Sequence, residues 1–530
     1  MSEMFRVRAS LRVFFLAAAT FTAAVFLSAP ADAAWRKAES PLFVVYSDGA
    51  EKDLVEYTQT LEQFDTLLRS FTGSSDRPLS PIKFTVYMVS DFKEFQNLRP
   101  HISENLTGFY AADASRTASF AIRRDKDGGG ASWAAGQHIV LHEYVHHYFT
   151  HYVPGRYARW LDEGLAEYFA PATFKDGHAS VGTFPTERLS SLHQGMMFTR
   201  KLLDPPVDLP RNDPDAQVFY PQSLLATHYF MDDPERRKKL AAYVAATESG
   251  TEPAQAFQNA FGMSFEDFDS VAKRYLTGEK GVTRTTALNK KTAKVKVTAL
   301  PASADDMLLL HTFAMFHSPY GKSSAATARG LHMLSLARER APKFGDDAFA
   351  QRTLAALEII YGSSEAAAAT LSKLVARDPQ DLEARYLQML KAFMDGANDR
   401  TSPTATWSEV KRLGAAAHKP DPTNYGAVYL YGLGASWFSN EGMSEDTVIM
   451  MRRAHRLAPQ VTEISVETAR TLISVDLRRE AAAILEKVAT APHQGMGNVY
   501  AQALLLGLLE SKSAEELLSI RLDANGDQVR

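Results

Sequence analysis

The pattern of apolar residues along this chain changes character between residues 281 and 300. Before this segment, short apolar runs typical of strands alternate with stretches of helical period, whereas only helical periodicity follows it. A chain of 530 residues is also too long for one hydrophobic core. We therefore predict an α+β domain at 34–280, a linker at 281–300 that is rich in Thr, Lys and Val, and an all-α domain at 301–530.

The first 33 residues have the layout of a secretory signal. Three arginines precede an apolar run at 13–27, and small residues follow up to Ala33. This order predicts a signal peptide at 1–33 and export to the periplasm or beyond, with an uncleaved membrane anchor as the alternative. No later stretch is long and apolar enough for a membrane helix, so we expect no membrane span after cleavage.

Composition excludes several functional classes. The chain contains no cysteine, which rules out disulfides, thiolate metal ligands and cysteine nucleophiles. The formal charge of −4 gives no electrostatic reason to expect nucleic acid as a partner.

The predicted α+β domain begins with a strand, a helix and a second strand. Apolar runs at 42–47 and 82–89 indicate the strands, and the segment between them has the period of an amphipathic helix. We predict further strands at 108–110 and 116–122, followed by a glycine-rich loop and a helix from about Ser132. The strand at 116–122 is our candidate for a sheet edge that holds a peptide by backbone pairing.

In the second half, Ala-rich helical segments end at Pro379, Pro459 and Pro492. The last two prolines are 33 residues apart, close to the 34-residue period of a helix-turn-helix repeat, and we predict an insertion at about 398–424. The segments before these prolines resemble the second helix of tetratricopeptide repeats. A generic helical bundle is the alternative. Repeats of this kind present a concave surface, which would hold a peptide or a protein partner.

The chemistry is concentrated in residues 142–146, which read H-E-Y-V-H. On a helix, residues four apart lie on one face, so the imidazoles of His142 and His146 can reach one metal ion. Glu143 is then offset towards a water molecule on that ion. The alternative is a helix with incidental histidines.

A second segment, W-L-D-E-G-L-A-E-Y-F at 160–169, supplies what the first lacks. A catalytic zinc ion commonly takes three protein ligands, and Glu163 offers a carboxylate as the third. Glu167 lies one helical turn later, where it would accept the free N–H of a ligating histidine. The alternative for Glu167 is a surface charge.

Together the two segments resemble the gluzincin metallopeptidases, in which H-E-x-x-H is followed by a helix bearing E-G-x-A-x-Y. In particular, the chain looks like the bacterial peptidase-MA-like exported proteins that carry C-terminal tetratricopeptide-like repeats. The resemblance implies a zincin-like α+β metallopeptidase domain followed by an all-α, TPR-like solenoid. It also implies peptide-bond hydrolysis with Zn²⁺ as the cofactor, with His142, His146 and Glu163 as its ligands and Glu143 as the general base.

Gluzincins also tend to use a Tyr or His from a later helix to stabilise the transition state. Tyr220 is the first candidate and His228 the second, while the alternative for Tyr220 is packing at a helix start. The metzincin pattern is excluded, because it requires Gly and His where this chain has Phe149 and Tyr152.

Three further histidines, His138, His147 and His151, lie on the same predicted helix. His138 shares a face with the predicted ligands but is one turn too far, so we expect a packed or hydrogen-bonded role. The other two lie on a neighbouring face and are not expected to bind metal.

Two alternatives to a peptidase stay open at this point. The chain could be a binding scaffold in the cell envelope whose repeats hold a partner and whose zinc site is vestigial or structural. It could also be a hydrolase of another kind that uses the same site.

Overall fold

The computed structural model describes most of the chain between residues 35 and 522. The described residues are 35–75, 77–90, 96, 107–123, 134–153, 155, 157–203, 215–278, 284–288, 293–316, 324–399, 401–439, 443–491 and 496–522. The predicted signal peptide and the predicted glycine-rich loop lie outside them. Within these ranges, no helix has the combined length and apolarity that crossing a membrane requires.

Two sheets form the β structure of the described residues. The strands are β1 Arg36–Glu39, β2 Phe43–Ser47, β3 Phe84–Val89, β4 Gly108–Ala112, β5 Thr117–Ile122, β6 Thr173–Lys175, β7 His178–Val181, β8 Arg284–Ala287 and β9 Lys296–Ala299. The larger sheet has the order β4-β5-β3-β2-β1-β9, and the smaller has the order β6-β7-β8. The pairs β2–β3 and β3–β5 are parallel, and all the others are antiparallel.

The four strands predicted early in the chain correspond to β2, β3, β4 and β5. The prediction that 116–122 forms an edge was wrong, because β5 lies between β3 and β4 and pairs with both. Strand β4, which precedes β5 and pairs with it in the antiparallel direction, forms the edge of the sheet instead. Periodicity identifies a strand but not its place in the sheet, which depends on pairings between distant residues.

The predicted linker at 281–300 contains two strands. Strand β8 pairs with β7, and β9 pairs with β1 from the start of the described chain. A flexible connection is therefore wrong for 284–287 and 296–299. The missed signal was the alternation of Lys and Val at 294–297, which is the period of a half-exposed strand.

The first part of the chain contains nine described helices, of which two pack on one face of the larger sheet. The nine helices are α1 Glu51–Thr72, α2 Ala134–Tyr152, α3 Arg159–Phe169, α4 Thr186–Gln194, α5 Thr199–Leu203, α6 Asp215–Asp232, α7 Pro234–Glu248, α8 Pro253–Phe261 and α9 Phe265–Thr277. Helix α1 lies against β1 and β2, and α2 lies against β4 and β5. Phe43 and Phe84 from the sheet contact Tyr144 from α2 in this core.

The remaining described helices stack in chain order. They are α10 Ala304–Met315, α11 Ser324–Arg340, α12 Ala348–Tyr361, α13 Ser364–Arg377, α14 Leu382–Asn398, α15 Pro403–His418, α16 Tyr425–Phe438, α17 Glu445–Leu457, α18 Thr462–Ser474, α19 Arg478–Ala489, α20 Met496–Leu509 and α21 Ala514–Ser519, with a 3₁₀ turn at Ala341–Phe344. Each even-numbered helix contacts the odd-numbered helix that follows it and the next even-numbered helix. From α12 onwards, the even-numbered helices begin 34 to 43 residues apart. The predicted insertion at 398–424 is therefore wrong, because it holds α15, the partner of α14.

This helical array packs on the face of the sheet opposite to α1 and α2. Trp35, Phe120 and Leu308 belong to one buried cluster at this contact. Glu383 on α14 lies 3.0 Å from His311 and 3.4 Å from Arg116, which precedes β5. Burial raises the pKa of Glu383, but the nearby cations lower it by more, so the carboxylate is held ionised between the two parts of the chain.

The tip of the β4–β5 hairpin enters the helical array. A Cβ atom at Gly426, in the first turn of α16, would lie 3.2 Å from the carbonyl oxygen of Ala114, so a residue with a side chain would crowd this contact. Tyr425 also shares a 3.0 Å hydrogen bond with Thr117. Part of the array that we predicted to hold a partner is thus covered by the chain's own sheet.

Candidate metal centre

Helix α2 is anchored to the core by one face. Val140, Leu141 and Val145 are buried there, and the Tyr144 hydroxyl donates a 2.8 Å hydrogen bond to Asp65 on α1. Because a helix turns by about 100° per residue, this anchoring directs positions 142 and 146 to another face. That face looks towards α3.

Glu163 on α3 points towards this face of α2. The next residue, Gly164, lets α3 pack closely against α6. A Cβ atom at Gly164 would lie 2.1 Å from Thr227 Oγ1 and 2.6 Å from the Ser223 carbonyl oxygen, both on α6. Only glycine permits so close an approach of α3 to α6. The glycine of the E-G-x-A-x-Y segment thus brings the carboxylate helix and the helix of Tyr220 together.

The three predicted ligands meet at one point. The Nε2 atoms of His142 and His146 are 3.2 Å apart, and they lie 3.2 and 3.4 Å from Oε2 of Glu163. Ligand atoms about 2.0–2.1 Å from a tetrahedral metal ion lie about 3.3 Å from one another. The triangle therefore has the size that one such ion requires, and these residues form a group able to hold a metal ion.

The environment of Glu163 also fits a metal ligand. Its side chain is fully buried, and among the described residues neither carboxylate oxygen has a well-formed hydrogen bond. Burial raises the pKa of Glu163, but His146 and His142 lower it well below its usual range. A buried carboxylate held in its charged form needs a cation beside it. Burial lowers the pKa of His146, but Asp162 and Glu163 raise it well above its usual range, so metal binding there would release a proton.

Asp162 orients one of the histidines, a role that the sequence reading missed. Its Oδ1 atom lies 3.1 Å from Nδ1 of His146 and accepts the N–H of that ring. This hydrogen bond turns Nε2 of His146 towards Glu163. In the sequence, the adjacent Glu163 is the predicted third ligand, and Asp162 has no predicted role. A carboxylate next to a predicted ligand in the sequence could have indicated this hydrogen bond.

Glu167 lies beside the site but does not make the predicted hydrogen bond to a histidine. Its Oε1 atom is 3.6 Å from His142 Nδ1, which is too long for one. Arg188 on α4 donates two hydrogen bonds to the Glu167 carboxylate, at 3.1 and 2.5 Å. Glu167 is nearly fully buried, so the alternative of a surface charge was wrong. No sequence pattern linked Arg188 to the motif.

His138, His142 and Glu167 form a second group whose ligand atoms are close enough for an ion. His138 Nε2 lies 3.8 Å from the Glu167 carboxylate. The Arg188 guanidinium already balances the charge of that carboxylate, so this group does not require a cation. His138 shares the face of the ligands, as predicted, and its closest acidic neighbour is Glu167.

Glu143 follows His142 on α2, and Tyr220 lies on α6, where the charges of Glu163 and Glu143 act on its hydroxyl group. Glu143 is half-buried. Burial raises the pKa of Tyr220 to about 12, and the charges of Glu163 and Glu143 contribute to that rise. Tyr220 therefore keeps its proton at neutral pH and can donate a hydrogen bond. His228, the second candidate, directs its ring nitrogens to Tyr275 and to the carbonyl of Gly182.

His147 and His151 lie on a different face from the candidate ligands. Their rings stack with centroids 4.1 Å apart, and burial lowers the pKa of both. They belong to neither of the residue groups that could hold an ion. In the structure, the two residues form a packed pair of rings.

We expect Asp162→Ala to weaken metal binding by about 10- to 100-fold, because His146 then loses the acceptor that fixes its ring. Affinity would be measured by competition with a chromophoric chelator. Asp162→Asn is the matched control, since its amide oxygen can still accept the N–H, and it should fall between Asp162→Ala and the wild type. An unchanged affinity in Asp162→Ala would remove Asp162 from the site.

Comparisons of the chain with protein-family models, with curated proteins and with solved structures find no match. The candidate centre is therefore defined by its own geometry, which brings two histidines and a buried glutamate together beside Glu143 and Tyr220.

Proposed function

We propose that this protein is a zinc-dependent metallopeptidase. The observation that carries the proposal is the triangle of His142, His146 and Glu163, with sides of 3.2–3.4 Å and with Glu143 next to it in sequence. Two imidazoles and one carboxylate are a ligand set that catalytic zinc uses, and three protein ligands leave a position open. When bound, Zn²⁺ would polarise the scissile carbonyl and make water more acidic.

Three further side chains have roles in the proposed hydrolysis. Glu143 accepts the proton of the water whose oxygen attacks the carbonyl carbon, and then delivers a proton to the amine nitrogen as the C–N bond breaks. Tyr220 donates its hydroxyl hydrogen bond to the carbonyl oxygen as negative charge develops there. Asp162 keeps His146 in its binding orientation.

Strand β4 is the part of the sheet that we propose to hold the substrate backbone. Within the described residues it pairs only with β5. The Ile122 N–H donates to the Thr107 carbonyl, and the Asp113 N–H donates to the Arg116 carbonyl. Hydrogen-bonded and non-hydrogen-bonded pairs alternate along an antiparallel pair of strands, so the N–H and C=O groups of Tyr110 point away from β5. Glu143 is among the charges that raise the pKa of Tyr110, after burial and Tyr425, and this supports a position of the β4 edge near the proposed base. An extended peptide can pair there.

We further propose that residues 1–33 direct export and that the helices from α10 onwards form a TPR-like solenoid. The contacts between successive even-numbered helices and their spacing of 34 to 43 residues support the solenoid. A scaffold with a purely structural zinc site is the alternative. A structural site takes four protein ligands and needs no general base, whereas this group has three ligands and Glu143.

Metal removal tests the proposal. Treatment with 1,10-phenanthroline should stop the hydrolysis of casein by the purified protein, and Zn²⁺ should restore it while Mg²⁺ should not, because imidazole ligands favour zinc. Cleavage would be followed by the release of acid-soluble peptides. Hydrolysis that continues without metal, or none in the zinc-loaded protein, would contradict the assignment.

A further inference from the structure

A large groove lies on the helical array, next to the end of β4. Its volume is about 1030 Å³, and its walls come mainly from the even-numbered helices α16, α18 and α20 and from the chain after α21. The side chains that line it include Trp437, Val466, Arg470 and Tyr500. Ala112 and Asp113, at the end of β4, line it as well.

The groove borders the end of the strand that we propose to hold the substrate backbone. Tyr110 packs against Phe84, and Phe84 packs against His147, the neighbour of the proposed ligand His146. Ala112 is two residues further along β4, which is about 7 Å in an extended strand. A chain paired along the outer edge of β4 would therefore reach the groove at the end of that strand.

The charged side chains that line the groove make hydrogen bonds or ion pairs within the protein. Arg470 lies 3.5 Å from Glu467 and donates hydrogen bonds to Tyr500 and to the carbonyl of Leu518. Glu463 accepts a 3.1 Å hydrogen bond from Tyr429. A ligand thus meets side chains of both charges, three acidic and two basic, together with aromatic and aliphatic side chains. This surface suits a polypeptide of mixed sequence better than a strongly charged molecule.

We propose that the groove is an extension of the substrate site that holds an unfolded, extended polypeptide on one side of the scissile bond. This inference rests on the proposed peptidase function and names its substrate class. Helices that pack side by side are about 8–10 Å apart, so three of them span about 20 Å, or about six residues of extended chain. A folded protein offers no such free segment.

Peptide length tests the inference. Peptides that extend about eight residues beyond the scissile bond on the groove side should be cleaved with at least about tenfold higher kcat/KM than peptides that end after two. Ser436, an exposed residue of α16, lines the groove, and Ser436→Trp would obstruct part of it. We expect this variant to lose the advantage of the long peptide and to cleave the short one normally. Ser408→Trp, at an exposed position of α15 outside the groove lining, is the matched control.

Binding separates this inference from the catalytic proposal. A fluorescein-labelled long peptide should bind the Glu143→Gln protein, as measured by anisotropy, and added Ser436→Trp should weaken that binding about tenfold. If cleavage does not depend on peptide length and Ser436→Trp does not change it, the proposed role of the groove is wrong and the proposed peptidase function is retained. If the long peptide binds, Ser436→Trp weakens that binding and the wild type cleaves nothing, the groove binds polypeptide and the proposed peptidase function is wrong. Neither binding nor cleavage would contradict both.

Discussion

Glu143→Gln is expected to lower kcat/KM for peptide hydrolysis by about 10²–10⁴-fold while leaving the metal content unchanged. Glutamine has the shape of glutamate, but its amide cannot accept the proton of the attacking water. The ligand atoms come from His142, His146 and Glu163, so they are not altered. Cleavage of a fluorogenic peptide and elemental analysis of the same preparation give the two readings.

A matched substitution distinguishes this effect from a general one. Glu339 on α11 is exposed and pairs with Lys343, so Glu339→Gln changes the same atoms far from any proposed role. It should leave both readings at the wild-type level. Full activity in Glu143→Gln would exclude Glu143 as the base, and loss of metal in that variant would show that the residue supports the metal site instead.

The local part of the candidate site could be predicted from the sequence. The i, i+4 spacing of His142 and His146 and the E-G-x-A-x-Y segment are regular features of single helices, and helical geometry then fixes which side chains share a face. The contact between α2 and α3 could be predicted from metal chemistry, because a zinc site with two histidines needs a third protein ligand. The structure places Glu163 within 3.4 Å of both histidines.

The tertiary part could not be predicted in this way. Arg188 reaches Glu167 from α4, and no periodic pattern relates the two residues. The place of β5 inside the sheet and the pairing of β9 with β1 depend on contacts between distant segments. The docking of the β4–β5 hairpin on α16 is of the same kind. Composition alone assigned 281–300 to a linker because it lacks aromatics, although its Lys–Val alternation indicated a strand.

The docked helices also change what the second half of the chain can do. A free solenoid would offer its whole inner face to a partner, but here the hairpin and the sheet cover one portion, where Arg116 meets Glu383. The open portion is the groove that borders β4. Because Ala112 of the edge strand also lines the groove, one polypeptide could contact both, and in our proposal binding by the helices and cleavage at the metal centre would act on the same chain.

Glu163→Ala is expected to abolish stoichiometric metal binding. The wild type should hold about one zinc ion per chain, because three protein ligands converge on one point. Without the carboxylate, the two histidines keep no anionic partner in the triangle. Elemental analysis after dialysis gives the ratio, and circular dichroism confirms that the variant is folded. His146→Ala should behave in the same way, and metal retained in His146→Ala would refute the ligand assignment. Two ions per wild-type chain would indicate that His138, His142 and Glu167 also bind one.

Thermal unfolding gives an independent reading of the same substitution. A ligand that binds only the folded state stabilises it, by about 4 kcal/mol at a thousandfold excess over Kd. Chelation should therefore lower the Tm of the wild type by several degrees and leave that of Glu163→Ala unchanged. A wild-type Tm that chelation leaves unchanged would contradict metal binding by the folded protein.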